Sequence, residues 1–154
     1  MKVATKALVR LAVAAAKAHV ASGNFSGPIY QPYIGLYTAI ANGPSPNSVM
    51  ADLTPADYTG YARQQITAWT GPYDTQGFGS ELVGPLMVFA PTDAVTPNVI
   101  LGAFWADAPT AGSLLGLDPF DTPVALPDAN ASLLFVARYL QQFAADYGAG
   151  EVLV

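Results

Sequence analysis

The chain contains no cysteine. Disulfides and thiolate metal sites are therefore excluded, and cysteine usage fixes no compartment. Histidine occurs once, as His19, so zinc and blue-copper centres lack a ligand set. A Ser-His-Asp triad would have to recruit that single imidazole. Charge is also scarce. Asp, Glu, Lys and Arg make up 11% of the residues, against roughly 25% in ordinary soluble domains. Lysine is absent after Lys17, which argues against a phosphate or nucleic-acid surface on the rest of the chain. No apolar run reaches the ~20 residues of a membrane helix. Between Arg10 and Lys17 only Leu11 to Ala16 is uncharged, too short for the core of a secretory signal.

What remains is apolar and split by charge. The 154 residues are 52% hydrophobic and include 14 Gly and 13 Pro. That hydrophobicity excludes disorder, and the length suits one domain that needs no covalent staple. The few charges, together with eight Tyr and seven Phe, suit a surface partly covered by neighbours. Lys2, Lys6, Arg10 and Lys17 are four of the six basic residues, and no acid precedes Asp52. The remainder holds Arg63 and Arg138 against eleven acids, so a segment of +4 precedes a body of −9. This division places the two parts in different surroundings and points to an assembly component.

Residues 3 to about 21 are rich in Ala and predict a helix that stops at Ser22-Gly23-Asn24. On that helix the four cations fall within a stripe roughly 80° wide. Leu8, Leu11, Ala12 and Ala15 gather on the opposite side. The expected organisation is a basic amphipathic arm, 1–23, followed by a β domain, 24–154. In that domain Ile29 to Ala41 predicts a strand, and Asn42 to Ser48 a loop. Thr54-Pro55-Ala56-Asp57 suits one helical turn. Gly60 to Trp69 alternates as a strand, Gly71 to Ser80 is a loop, and Leu82 to Ala90 and Val99 to Ala106 are apolar strands. Ala108 to Ala111 is a turn, and Gly112 to Leu117 and Thr122 to Leu126 are short strands. Ser132 to about Leu140 fits both periods, and a strand is favoured. Short strands with turns between them predict a mainly β fold. Its form is an antiparallel β-sandwich, jelly-roll-like, with an N-terminal α-helix.

No catalytic, cofactor or metal constellation emerges. Asp118, Asp121 and Asp128 read as turn acids, without the oxygen set of a calcium loop. The aromatics Tyr58, Tyr61 and Trp69 are candidate ligand contacts, because such side chains offer area with a polar tip. The candidate interface residues on the arm are Lys2, Lys6, Leu8, Arg10, Leu11, Ala15 and Lys17. The cations would steer a contact and the apolar residues would bury in it.

Several motifs come in a recognisable order. They are Ile34-Gly35-Leu36-Tyr37-Thr38, then Thr54-Pro55-Ala56-Asp57-Tyr58 running into Gly60-Tyr61, then Trp69. Val99-Ile100-Leu101-Gly102-Ala103-Phe104, Leu114-Leu115 and Phe120-Asp121-Thr122-Pro123-Val124 follow. In this order the chain resembles a family of small virion proteins of tailed bacteriophages, over residues 25 to 140. The resemblance implies a non-enzymatic β-sandwich component of the virion, a head decoration or tail-associated protein without cofactors. Its expected partners are a major capsid or tail protein and other copies of itself, a trimer among them, and neither membrane nor nucleic acid. A carbohydrate- or receptor-binding module of a tail fibre is the alternative.

Overall fold

The computed structural model describes residues 3–4, 31–74, 80–93 and 98–141. In chain order the strands are β1 Val3–Ala4, β2 Tyr33–Ile40, β3 Leu53–Pro55, β4 Gln64–Gln65, β5 Thr70–Asp74, β6 Ser80–Phe89, β7 Asn98–Ala106, β8 Leu114–Leu126 and β9 Leu133–Gln141. One 3-10 turn, Met50–Asp52, precedes β3. The fold is mainly β. The larger sheet runs β1-β8-β7-β2-β3, with β4 also on β2, and the smaller runs β5-β6-β9. Every pairing is antiparallel, and neither sheet closes into a barrel.

Alternation explains which residues meet. In β9, Leu133, Phe135 and Ala137 are buried while Leu134, Val136 and Arg138 are exposed, as period-2 geometry requires. The buried set joins Met87 and Phe89 of β6 in one cluster with Ile34 and Leu36 of β2 and Trp105 of β7. Side chains of both sheets therefore share a single apolar core. β7 lies between β8 and β2 and is buried on both faces from Gly102 to Ala106. On the far side, Phe104 and Tyr37 form a second cluster with Leu53, Leu114 and Leu117.

The free edge of β2 is closed by two short strands laid end to end. β3 pairs with its last residues and β4 with its first. Leu36 falls in the gap between them. The Tyr61 hydroxyl accepts from Leu36 N at 2.8 Å and donates to Leu36 O at 3.1 Å, and Ala56 N donates to that oxygen at 2.9 Å. A side chain thus completes the backbone ladder.

Several expectations are corrected. Val3 and Ala4, at the start of the expected helix, are extended and pair with Leu117 and Gly116 of β8. An open strand edge offers hydrogen bonds that outweigh the weak helix preference of two residues. The rest of the expected helix lies outside the described residues. Thr54-Pro55 belongs to β3 rather than to a helical turn, because its backbone completes the β2 edge. The expected strand from Gly60 to Trp69 shrinks to Gln64–Gln65, since Tyr61 fills its place on β2 by a side chain. Part of the expected loop from Gly71 is strand β5, whose irregular register around Gly71-Pro72 accommodates the proline. The two strands expected at 112–117 and 122–126 are one strand, β8. Its register on β7 passes from Gly102↔Pro119 to Ile100↔Val124, so β8 spends five steps where β7 spends two. The surplus forms a bulge holding Phe120, Asp121, Thr122 and Pro123. The favoured strand at 132–140 is β9.

Candidate interface

The outer face of the smaller sheet carries an unusual group. Leu86 and Val88 of β6 stand directly opposite Val136 and Leu134 of β9. All four point away from the core, with Leu86 60% and Leu134 62% exposed. They form a cross-strand apolar ladder open to solvent. Scattered exposed leucines need no explanation, whereas apolar side chains gathered on one face are candidates for contact. Beside it runs a groove of about 440 Å³, lined by Asp118, Pro119, Phe120, Asp121, Leu134 and Phe135 among others. The β8 bulge forms one wall and the start of β9 the other. Leu134 belongs to both ladder and groove, so the two are one continuous surface. Phe120 and Phe135 pack at 6.4 Å between ring centroids, which ties the bulge to the core.

The candidate residues from sequence are placed as follows. Lys2, Lys6, Leu8, Arg10, Leu11, Ala15 and Lys17 lie outside the described residues. Tyr58 is buried in the shared core, and its ring meets the edge of Tyr61 at 5.3 Å. Tyr61 is half-buried and spends its hydroxyl on Leu36. Trp69 is half-buried and stacks on Trp105 at 6.2 Å. Tyr58 and Trp69 pack with the core, and Tyr61 closes the β2 edge. Asp128 fits the turn-acid expectation, since its carboxylate accepts from Asn130 N at 2.8 Å. Asp118 and Asp121 instead face the groove. Leu86, Val88, Leu134 and Val136 were missed. Their signal was the unbroken apolar run Leu133 to Ala137, where a strand with one wet face should alternate.

Arg63 is half-buried against the larger sheet. Its guanidinium lies 5.0 Å from the centre of the Phe104 ring and donates to Ala108 O and Ala111 O at 2.9 and 2.8 Å. Burial lowers its pKa, opposed by Tyr61 and Asp107. Burial also raises the Tyr61 hydroxyl, against its Leu36 bond and Arg63. The Tyr58 hydroxyl is pushed up to about 12 by burial and then by Tyr61. An unfolded tyrosine ionises near pH 10. The folded state binds the proton more tightly, so this stability is complete below about pH 10 and is lost as pH rises through about 12. The urea midpoint should fall over that interval together with the rise of tyrosinate absorbance. In Tyr58→Phe the fall should be shallower, and an unchanged profile would remove the assignment.

Among the described residues no three His, Cys, Asp or Glu side chains gather as metal ligands. Among them, too, no helix is long and apolar enough to cross a membrane. No protein-family model matches the chain, and no curated protein matches it.

Proposed function

We propose that the chain is a non-enzymatic structural subunit of a tailed-phage virion. In this reading a β-sandwich forms a rigid capsid decoration, cement or minor head protein. A basic N-terminal segment fastens it to its neighbours, namely the major capsid or tail protein and other copies of itself. The observation that carries the proposal is the solvent-facing ladder of Leu86, Val88, Leu134 and Val136. A chain with so little charge, bearing an apolar ladder on a stiff sheet, is suited to having that face covered. The division between a cationic segment and an acidic body supports fastening by charge.

Particles carrying the subunit should lose it as salt rises, because exposed charges are screened over roughly 8 Å at physiological ionic strength. Lys6→Glu with Arg10→Glu should lower occupancy at least tenfold at low salt, read by densitometry of purified particles. Occupancy unchanged in both experiments would remove the electrostatic fastening.

The second reading is a carbohydrate- or receptor-binding module of a tail fibre. It draws on the groove, where Phe120 and Phe135 supply apolar area and Asp121 and Thr122 supply polar groups. Binding on a glycan array that Asp121→Ala abolishes would favour it.

A further inference from the structure

The described sheet edges are guarded, except for one. β3 and β4 span three and two residues, and Pro55 ends β3. β5 contains Gly71-Pro72. The part of β8 beyond its β1 partners carries Pro119, Pro123, Asp118 and Asp121. Each is a device that discourages uncontrolled strand pairing. β9 has nine residues without Pro, Gly or an acid; its one charge, Arg138, stands beyond the stretch 133–135 that lines the groove, and among the described strands β9 pairs only with β6. The apolar ladder lies at the start of this strand, where no charge guards it, and the groove with Asp118 and Asp121 lies beside it. The surface is therefore apolar on one side and acidic on the other, and its occupant should be apolar on one side and basic on the other.

One segment of the chain has that chemistry. Residues 5–23 hold Lys6, Arg10 and Lys17 with Leu8, Leu11 and Ala15, and no acid. We propose that residues 5–23 of a second copy dock on the ladder and groove. Leu8, Leu11 and Ala15 cover Leu86, Val88, Leu134 and Val136, and Lys6 and Arg10 reach Asp118 and Asp121. Direction favours a second copy over the same chain. β1 runs antiparallel to β8, with Val3 opposite Leu117 and Ala4 opposite Gly116. From Val3 to Ala4 the strand therefore runs away from Asp118 and its groove. This inference rests on the basic segment being a fastener and names the surface that it grips.

The absence of cysteine gives a clean test. Full-length chains bearing Ala15→Cys and chains bearing Leu134→Cys are mixed and oxidised. A disulfide-linked pair containing one chain of each kind is expected. Its absence overturns the proposal, as does a bond that forms only when both substitutions share one chain and yields a monomer. A charge exchange tests the polar half. Asp118→Lys with Asp121→Lys should weaken self-association at least tenfold by sedimentation, with a thermal midpoint close to that of the parent. Adding Lys6→Glu and Arg10→Glu should restore most of it. If the exchange fails while particle occupancy remains salt-sensitive, the groove is the wrong acceptor and the fastening role stands.

Discussion

Alanine at Gly35 is expected to cost about 3 kcal/mol of stability, at the upper end of ordinary overpacking. Gly35 of β2 stands directly opposite Phe104 of β7. A methyl group added there would meet the Phe104 ring, with Cε1 at 2.6 Å, and the Tyr61 hydroxyl at 2.8 Å. Neither neighbour has room to yield. Phe104 is fully buried and lies under the Arg63 guanidinium. The Tyr61 hydroxyl is held by both backbone groups of Leu36. The glycine lets an aromatic ring lie flat across the strand, and that ring then serves as the floor for Arg63. Urea unfolding of Gly35→Ala should show a lower midpoint with an unchanged slope. In a Phe104→Leu background the same substitution should cost under about 1 kcal/mol, because the smaller side chain vacates the contested space. Equal cost in both backgrounds would refute the steric account.

Gly35 also shows where sequence reasoning ends. Within the expected strand Ile29 to Ala41, β2 at Tyr33–Ile40 was legible from its aromatic and β-branched texture, and β6 and β7 from apolar runs bounded by proline or glycine. In β9 the local pattern fitted helix and strand alike. The core decides, because Leu133, Phe135 and Ala137 face the other sheet together. β8 was read as two strands because proline was taken as a boundary. Pro119 keeps its place opposite Gly102, and Pro123 lies in the bulge between the two paired stretches, so neither proline ends the strand. The pairing of Val3 and Ala4 depends on an edge more than a hundred residues away and leaves no local trace. The exposed apolar ladder was hidden for a related reason. Leu86 and Leu134 look like core residues in a string of letters, and only the register shows that they share the wet face. Tyr58 and Tyr61 were read as candidate ligand contacts; the fold buries Tyr58 and spends the Tyr61 hydroxyl on Leu36.

Replacing Arg63 should be nearly as damaging, and more informative about the body's sparse charge. Arg63 falls within the expected strand Gly60 to Trp69 and is one of two cations after residue 17. In the fold its guanidinium joins three separate parts. One nitrogen donates to Ala108 O and Ala111 O in the turn between β7 and β8, and another contacts Met50 Sδ at 3.4 Å. The plane lies over Phe104. The turn has left-handed backbone at Ala111 and Gly112, with φ of 47° and 76°. It is held from within by Asp107 Oδ1, which accepts from Ser113 N at 2.7 Å. Ala111 is a strained residue for that conformation, so Arg63 and Asp107 together keep the turn in place. Hydrogen bonds from a charged donor contribute about 1.5–3 kcal/mol each, and the exposed bond to Ala111 O stands at or below the low end. A cation over an aromatic face adds about 0.5–2 kcal/mol. With part of this recovered by solvation of the freed carbonyls, Arg63→Met should cost about 3 kcal/mol. Lysine should rescue little, because one ammonium cannot reproduce a planar fork over a ring. Hydrogen exchange at the Ser113 amide should quicken more than at the amides of β6, since the turn loosens before the sheets part. Salt should change the loss little, because the pair of carbonyls and the ring are short-range partners. A lysine variant as stable as the parent would mean that Arg63 supplies charge alone and that the fork geometry is incidental.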